Sequence, residues 1–160
     1  MSFSLKIRVR EYVESALKGV GLECLGVVSL SKEEPDFSYF EKWLASGHHG
    51  TMGFLENHKD CRKNPTLLHP KACSAVIIGY PYYQGDKWPG SSEAPRIAQY
   101  ARLADYHKVM KKKCAPLGRY LESQFGVSSR LVVDSAPLLE RALASRVARG
   151  FIGKNTCFIH

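Results

Sequence analysis

Apolar residues recur at helical spacing from the start of the chain. Leu5, Val9, Tyr12, Val13, Ala16, Leu17 and Val20 fall on one stripe of an opening helix, and Gly19 and Gly21 end it. Residues 22–30 read as a strand. Asp36 is placed to cap a second helix by accepting from its first free amides. Phe37, Phe40, Trp43 and Leu44 form the apolar face of that helix, and Gly47 stops it. A glycine-punctuated stretch, His48-His49-Gly50-Thr51-Met52-Gly53-Phe54-Leu55, precedes a basic turn at Arg62, Asn64 and Pro65. Residues 72–80 are continuous and β-branched, the pattern of a buried strand. Residues 81–95 are rich in Pro, Gly and Ser and predict a long loop, a feature often tied to function.

In the second half, Asp105 can cap a third helix whose stripe is Tyr106, Val109, Met110, Cys114, Leu117 and Leu121. Residues 131–134 predict a short strand. Ser135 and Pro137 then begin a fourth helix that buries Leu138, Leu139, Ala142 and Leu143 and ends at Gly150. Residues 156–159 read as a last strand. The order α-β-α-β-α-β-α-β predicts an α/β (α+β) layer fold, a mixed sheet flanked by helices. No internal repeat and no linker divides the chain, so residues 1–160 are expected to form a single domain.

Composition narrows this picture. At 160 residues and 44% hydrophobic content the chain can build a core. Its apolar runs fall well short of the ~20 residues that span a bilayer, and residues 1–10 lack the apolar stretch of a secretory signal. A cytoplasmic protein without membrane contact is expected. The net charge of +8 favours anionic partners such as nucleic acid or phosphate-bearing cofactors. Between Arg96 and Arg119 stand seven Lys or Arg and one acid, Asp105. Lys111, Lys112 and Lys113 are the densest part, and Tyr100, Tyr106 and His107 interleave with the charges. That pattern reads either as a solvated helix face or as phosphate contact beside rings that stack on a planar group.

The five cysteines, Cys24, Cys61, Cys73, Cys114 and Cys157, include no C-x-x-C. A zinc ribbon and a ferredoxin-type cluster are both excluded for this chain. The thiols are expected to be reduced, with Cys24 and Cys73 buried in strands as small hydrophobes. His48, His49 and His107 are possible metal ligands, but the histidines show no zinc spacing.

Candidate chemistry centres on Val133-Asp134-Ser135-Ala136-Pro137, a carboxylate between a predicted strand and a predicted helix. Asp134 reads either as a cap of the next helix or its turn, or as a general acid or metal-shell carboxylate. Arg141 can face an anion near the helix start or pair with the neighbours of Glu140 on the surface. Gly150-Phe151-Ile152-Gly153-Lys154-Asn155-Thr156 resembles a phosphate loop only in part, because it follows a helix where a Walker A segment precedes one. It can still offer amides and a cation to a ligand.

In order along the chain, the motifs His49-Gly50-Thr51-Met52-Gly53-Phe54-Leu55, Arg62-Lys63-Asn64-Pro65, Ile97-Ala98-Gln99-Tyr100-Ala101-Arg102, Asp105-Tyr106-His107, Val133-Asp134-Ser135-Ala136-Pro137 with Glu140-Arg141, and Gly153-Lys154-Asn155-Thr156 resemble the N-terminal part of the epoxyqueuosine reductases. The resemblance implies a cobalamin-dependent iron–sulfur oxidoreductase, related to reductive dehalogenases, that reduces epoxyqueuosine to queuosine at the tRNA wobble position. It implies a nitroreductase-like cobalamin-binding domain, followed in family members by a ferredoxin-like domain with two 4Fe-4S clusters and a helical-repeat region. Neither region is present in this chain, so the chain alone is expected to be inactive and to require an electron donor. The family's proton donor matches Asp134. Tyr100, Tyr106, His107, Ser135, Arg141, Lys154, Asn155 and Thr156 match cofactor-side segments. Arg62, Lys111, Lys112 and Lys113 are assigned to the tRNA, no metal ligand is assigned, and a monomer is expected. Two other readings compete: a flavin-dependent nitroreductase-like oxidoreductase, and a non-catalytic cobalamin- or tRNA-binding module.

Overall fold

The computed structural model describes residues 3–31, 33–83, 85 and 97–160. The predicted loop at 81–95, apart from residues 81–83 and 85, lies outside the described residues, as does Arg96. The chain forms two compact units, each built from two stretches of sequence: residues 1–24 with 79–131, and residues 25–78 with 132–160.

The first unit is a helix pair. Helix α1 (Phe3–Gly19) packs on the long helix α4 (Tyr106–Phe125). Val13 and Leu17 of the predicted first stripe are buried, as are Met110, Cys114 and Leu121 of the third. Tyr12 stacks on Tyr120 with ring centroids 3.9 Å apart. Asp105 caps α4 as expected, its carboxylate accepting from the His107 N–H at 3.0 Å. At the other end Gly126 takes φ +61°, and the Val127 N–H returns to the Leu121 carbonyl at 3.2 Å. This left-handed stop satisfies the last carbonyls of the helix, and glycine adopts it without a Cβ penalty. Burial pushes the Cys114 thiol above its usual pKa, against the opposing pull of Lys113, so the thiol stays protonated.

The second unit carries the strands. Strand β1 (Glu23–Ser29), which begins at the unit boundary, pairs with β2 (Ser74–Gly79). Between them come α2 (Phe37–Ala45), the single-turn α3 (Lys59–Lys63) and a 3₁₀ turn at Pro65–Leu68. The Asn64 side chain fixes that turn by accepting from the Thr66 N–H and hydroxyl at 3.2 and 2.6 Å. Short α5 (Glu140–Ser145) is followed by β3 (Phe151–Ile152) and β4 (Phe158–Ile159), an antiparallel hairpin with Phe151 opposite Ile159.

The alternation of helices and strands agrees with an α/β reading, but several local expectations are corrected. Among the described residues the strands form two separate two-stranded sheets and not one mixed sheet. Residues 131–134 are not a strand, because Asp134 takes φ +51° and breaks the extended backbone. The fourth helix begins at Glu140, so Ser135 and Pro137 lie in a preceding turn. It ends at Ser145 and not at Gly150. Gly150 serves the hairpin: a Cβ there would sit 2.3 Å from the Ile159 carbonyl oxygen. The last strand loses Thr156 to the turn, where it takes φ +63°. Asp36 precedes α2 but makes no side-chain cap bond. Its own backbone is already helical, whereas a capping side chain works from extended backbone. Strand β2 is half-exposed, with Val76 at 38%, where a buried strand is expected. Cys73 is exposed and Cys24 only partly buried, and Cys114 alone of the five thiols is buried.

Candidate functional site

Asp134 is the best-defined candidate. The Ser135 N–H donates back to the Val133 carbonyl at 2.6 Å, closing a tight turn with Asp134 at its centre. Positive φ at a non-glycine residue in such a turn costs ~1–3 kcal/mol and persists only when neighbours hold it. Three features do so. Val133, immediately before it, is buried. The Leu138 N–H closes a second tight turn on the Ala136 carbonyl at 2.8 Å. The Asp134 N–H donates to the Glu140 carboxylate at 2.9 Å. Asp134 and Ser135 are exposed, so the backbone is pinned while the carboxyl faces outward. The Glu140–Arg141 pair was legible in the sequence, but no role fell to Glu140. Its acidic position at the start of a helix, six residues beyond Asp134, is the signal that points to it.

The β3–β4 hairpin belongs to the same unit and carries three predicted residues. Its turn is closed by the Gly153 N–H to the Cys157 carbonyl and the Thr156 N–H to the Gly153 carbonyl, both at 2.9 Å. Lys154, Asn155 and Thr156 are exposed along it. The Asn155 Oδ1 accepts from the Cys157 N–H at 3.2 Å. Arg141 Nη1 donates to the Thr156 carbonyl at 2.5 Å, tying α5 to the hairpin. Arg62, in the same unit, lies over the Phe40 ring at 5.4 Å and donates to the Asn57 carbonyl. It is half-buried, and desolvation draws its guanidinium below the usual value.

The remaining candidates lie in the helix-pair unit. Tyr100 is 60% exposed in the 3₁₀ turn Gln99–Arg102 and meets Tyr82 edge-on at 6.3 Å. Gln99 Nε2 donates to the Gly85 carbonyl at 3.2 Å and ties this turn to the preceding segment. Tyr106 and His107 stack at 4.2 Å, and His107 Nδ1 lies 2.9 Å from the Asp105 carboxylate. The side-chain bond to His107, followed by the bond from its backbone N–H, holds the Asp105 carboxyl below the usual range. Lys111 and Lys112 are exposed. Lys113 differs: its ammonium donates to the Val20 carbonyl and lies 5.9 Å from the Tyr80 ring. Among the described residues no group of three His, Cys, Asp or Glu is placed to hold a metal ion, and His48, His49 and His107 form no such group. No helix among them is long and apolar enough to cross a membrane.

The sequence is similar to known proteins over most of its length. The family described as "Epoxyqueuosine reductase QueG, DUF1730" matches residues 62–135. An epoxyqueuosine reductase from Xanthomonas campestris is 33% identical over 153 residues, covering 92% of this chain and 43% of the relative. A crystal structure of epoxyqueuosine reductase with an epoxyqueuosine-modified tRNA-Tyr stem loop matches with a TM-score of 0.74 at 28% identity, covering 98% of this chain and 41% of that one. The Bacillus subtilis epoxyqueuosine reductase, in a structure whose aspartate-bearing catalytic loop is swung out of the active site, matches with a TM-score of 0.67 at 26% identity. It covers 99% of this chain and 41% of that protein. The chain thus spans about half or less of the length of the relatives it matches.

Proposed function

We propose that residues 1–160, which are similar to the epoxyqueuosine reductases over the stretch they share, form the cofactor-binding and catalytic part of an enzyme that reduces epoxyqueuosine in tRNA to queuosine. The observation that carries this reading is Asp134. It lies inside the segment matched by the family, on a turn held in a left-handed conformation, with its carboxyl outward. The related Bacillus subtilis protein carries its catalytic aspartate on a loop, which supports the same role here.

Converting an epoxide to an alkene consumes two electrons and two protons and releases water. Cobalamin, when bound, would supply the reducing chemistry at the epoxide carbon. In the second unit the residues present fit such a group: exposed hydroxyl, amide and ammonium groups suit a corrinoid edged with amides and a phosphate, with Lys154, Asn155 and Thr156 on the hairpin and Ser135 beside Asp134. In the helix-pair unit, taken by itself, Tyr100, Tyr106 and His107 carry rings, those of Tyr106 and His107 stacked on each other. Arg141 acts by holding the hairpin through the Thr156 carbonyl. An iron–sulfur cluster does not fit the described residues. Asp134 holds the proton that the leaving oxygen takes up, and the pinned turn keeps that carboxyl in place.

Lys111 and Lys112 contact the tRNA backbone as exposed cations, a reading supported by the stem loop bound to a structural relative. Arg62 presents its guanidinium from the Phe40 face, and Lys113 serves the helix pair that carries its neighbours. The protein acts in the cytoplasm as a monomer and takes its electrons from a donor. The test is Asp134→Asn in the polypeptide expressed from its native gene. Asparagine tolerates the left-handed backbone, so the variant keeps cofactor and stem-loop binding and loses reduction. Turnover at the parent rate contradicts the assignment.

A further inference from the structure

The turn that bears Asp134 cannot hold itself. Its central residue is a non-glycine at φ +51°, and its closing bond, Ser135 N–H to Val133 carbonyl, spans only three residues. Asp134 and Ser135 are exposed at the tip of the turn. Beside the buried Val133 and the turn closed by the Leu138 N–H, a further restraint comes from α5. Glu140 is its first residue, and Leu143, one turn on, is 1% exposed and anchors the helix in its unit. From that anchored position the Glu140 carboxylate reaches back six residues and accepts the Asp134 N–H at 2.9 Å. A bond to an ionised acceptor is about twice as strong as one between neutral groups. It fixes the peptide plane entering Asp134, and with it the direction of the bond to the Asp134 side chain.

We infer that Glu140 is the positioning residue of the Asp134 turn, a latch whose carboxylate holds the proton-donating carboxyl in its working direction. This rests on the reading of Asp134 as the proton donor. A related protein has been seen with its catalytic loop swung out of the active site, so a loop of this class has more than one stable position. A latch on the backbone N–H would set the balance between such positions without touching the substrate.

The test compares Glu140→Ala, Glu140→Gln and Asp134→Asn in the polypeptide expressed from its native gene. Glutamine keeps an acceptor oxygen at the same reach; alanine removes it. Two readouts are taken: hydrogen–deuterium exchange of the peptide spanning residues 131–138, and kcat and KM for an epoxyqueuosine-containing stem loop. Glu140→Ala should speed exchange at the turn and lower kcat by about 10- to 100-fold, the worth of one charged hydrogen bond. KM should stay within about 2-fold, because Glu140 acts through the turn and not through stem-loop binding. Glu140→Gln should restore most of both losses. The latch is overturned if Glu140→Ala leaves exchange and kcat unchanged, or if Glu140→Gln is no better than alanine. If Asp134→Asn turns over like the parent, the proton-donor reading fails, and the exchange measurement still decides whether Glu140 holds the turn. If Asp134→Asn is inactive and Glu140→Ala is not impaired, the latch fails and the proton donor stands.

Discussion

Removing Arg146 should cost more stability than neutralising its partner. Arg146 follows α5 directly and donates from Nη2 to both carboxylate oxygens of Glu34, at 2.5 and 2.6 Å. The two ends differ in burial: the Glu34 side chain is 2% exposed and the Arg146 side chain 31%. Arg146→Met leaves a carboxylate in the interior without its cation. Breaking a fully buried pair this way costs ~3–5 kcal/mol. Because the arginine side is nearly one-third exposed, ~2–4 kcal/mol is the reasonable range. For a protein of this length that corresponds to a Tm lower by roughly 5–15 °C. Glu34→Gln leaves an arginine that can turn toward water, and should cost only ~1–2 kcal/mol. Glu34→Leu combined with Arg146→Met should recover much of the single loss, since an apolar pair carries no desolvation penalty. Thermal and urea unfolding of the parent, these variants and Glu34→Leu alone, which closes the double-mutant cycle, measures this. Equal losses for the two single variants, or a coupling below ~0.5 kcal/mol, would refute the burial argument.

Other predictions follow from separate contacts. Gly150→Ala places a Cβ 2.3 Å from the Ile159 carbonyl oxygen, so the β3–β4 hairpin must part; a destabilisation of ~2 kcal/mol or more is expected by urea unfolding. The Asp105 cap has a folded-state pKa below its unfolded value, so its contribution is complete above the unfolded pKa and is lost as pH falls through the folded one. Urea midpoints should therefore drop between about pH 5 and pH 3, and Asp105→Asn, which still caps but does not titrate, should flatten that drop. Reversing the charge of Lys111 and Lys112 together should weaken stem-loop binding. It should also reduce the slope of log affinity against log salt by about 1.4 to 1.8, as expected for the loss of two phosphate contacts.

The parts of the fold that repeat along the chain were legible from sequence. Helices α1, α2 and α4 announced themselves by apolar stripes at 3.6-residue spacing, and Asp105 by its place before one of them. The parts decided by single contacts were not. Residues 131–134 look like a strand because Leu131, Val132 and Val133 are apolar, yet one left-handed residue turns the chain. Asp36 and Asp105 precede helices alike, but only Asp105 has a non-helical backbone and caps. Lys113 reads as one of three equivalent cations, until the Val20 carbonyl and the Tyr80 ring separate it from Lys111 and Lys112. Asp134 stood out as a carboxylate in an interrupted pattern. Glu140 did not, because its role exists only once a turn brings it back to the Asp134 N–H.

The central claim is that this chain takes part in removing the epoxide oxygen from a tRNA nucleoside, with Asp134 as proton donor. The direct measurement is mass spectrometry of an epoxyqueuosine-containing stem loop incubated with cobalamin, reductant and the protein expressed from its native gene, as parent and as Asp134→Asn. The parent should yield a product lighter by one oxygen atom, and the variant should bind the stem loop and return it unchanged. An unchanged stem loop with the parent, or equal conversion by both proteins, would contradict the account.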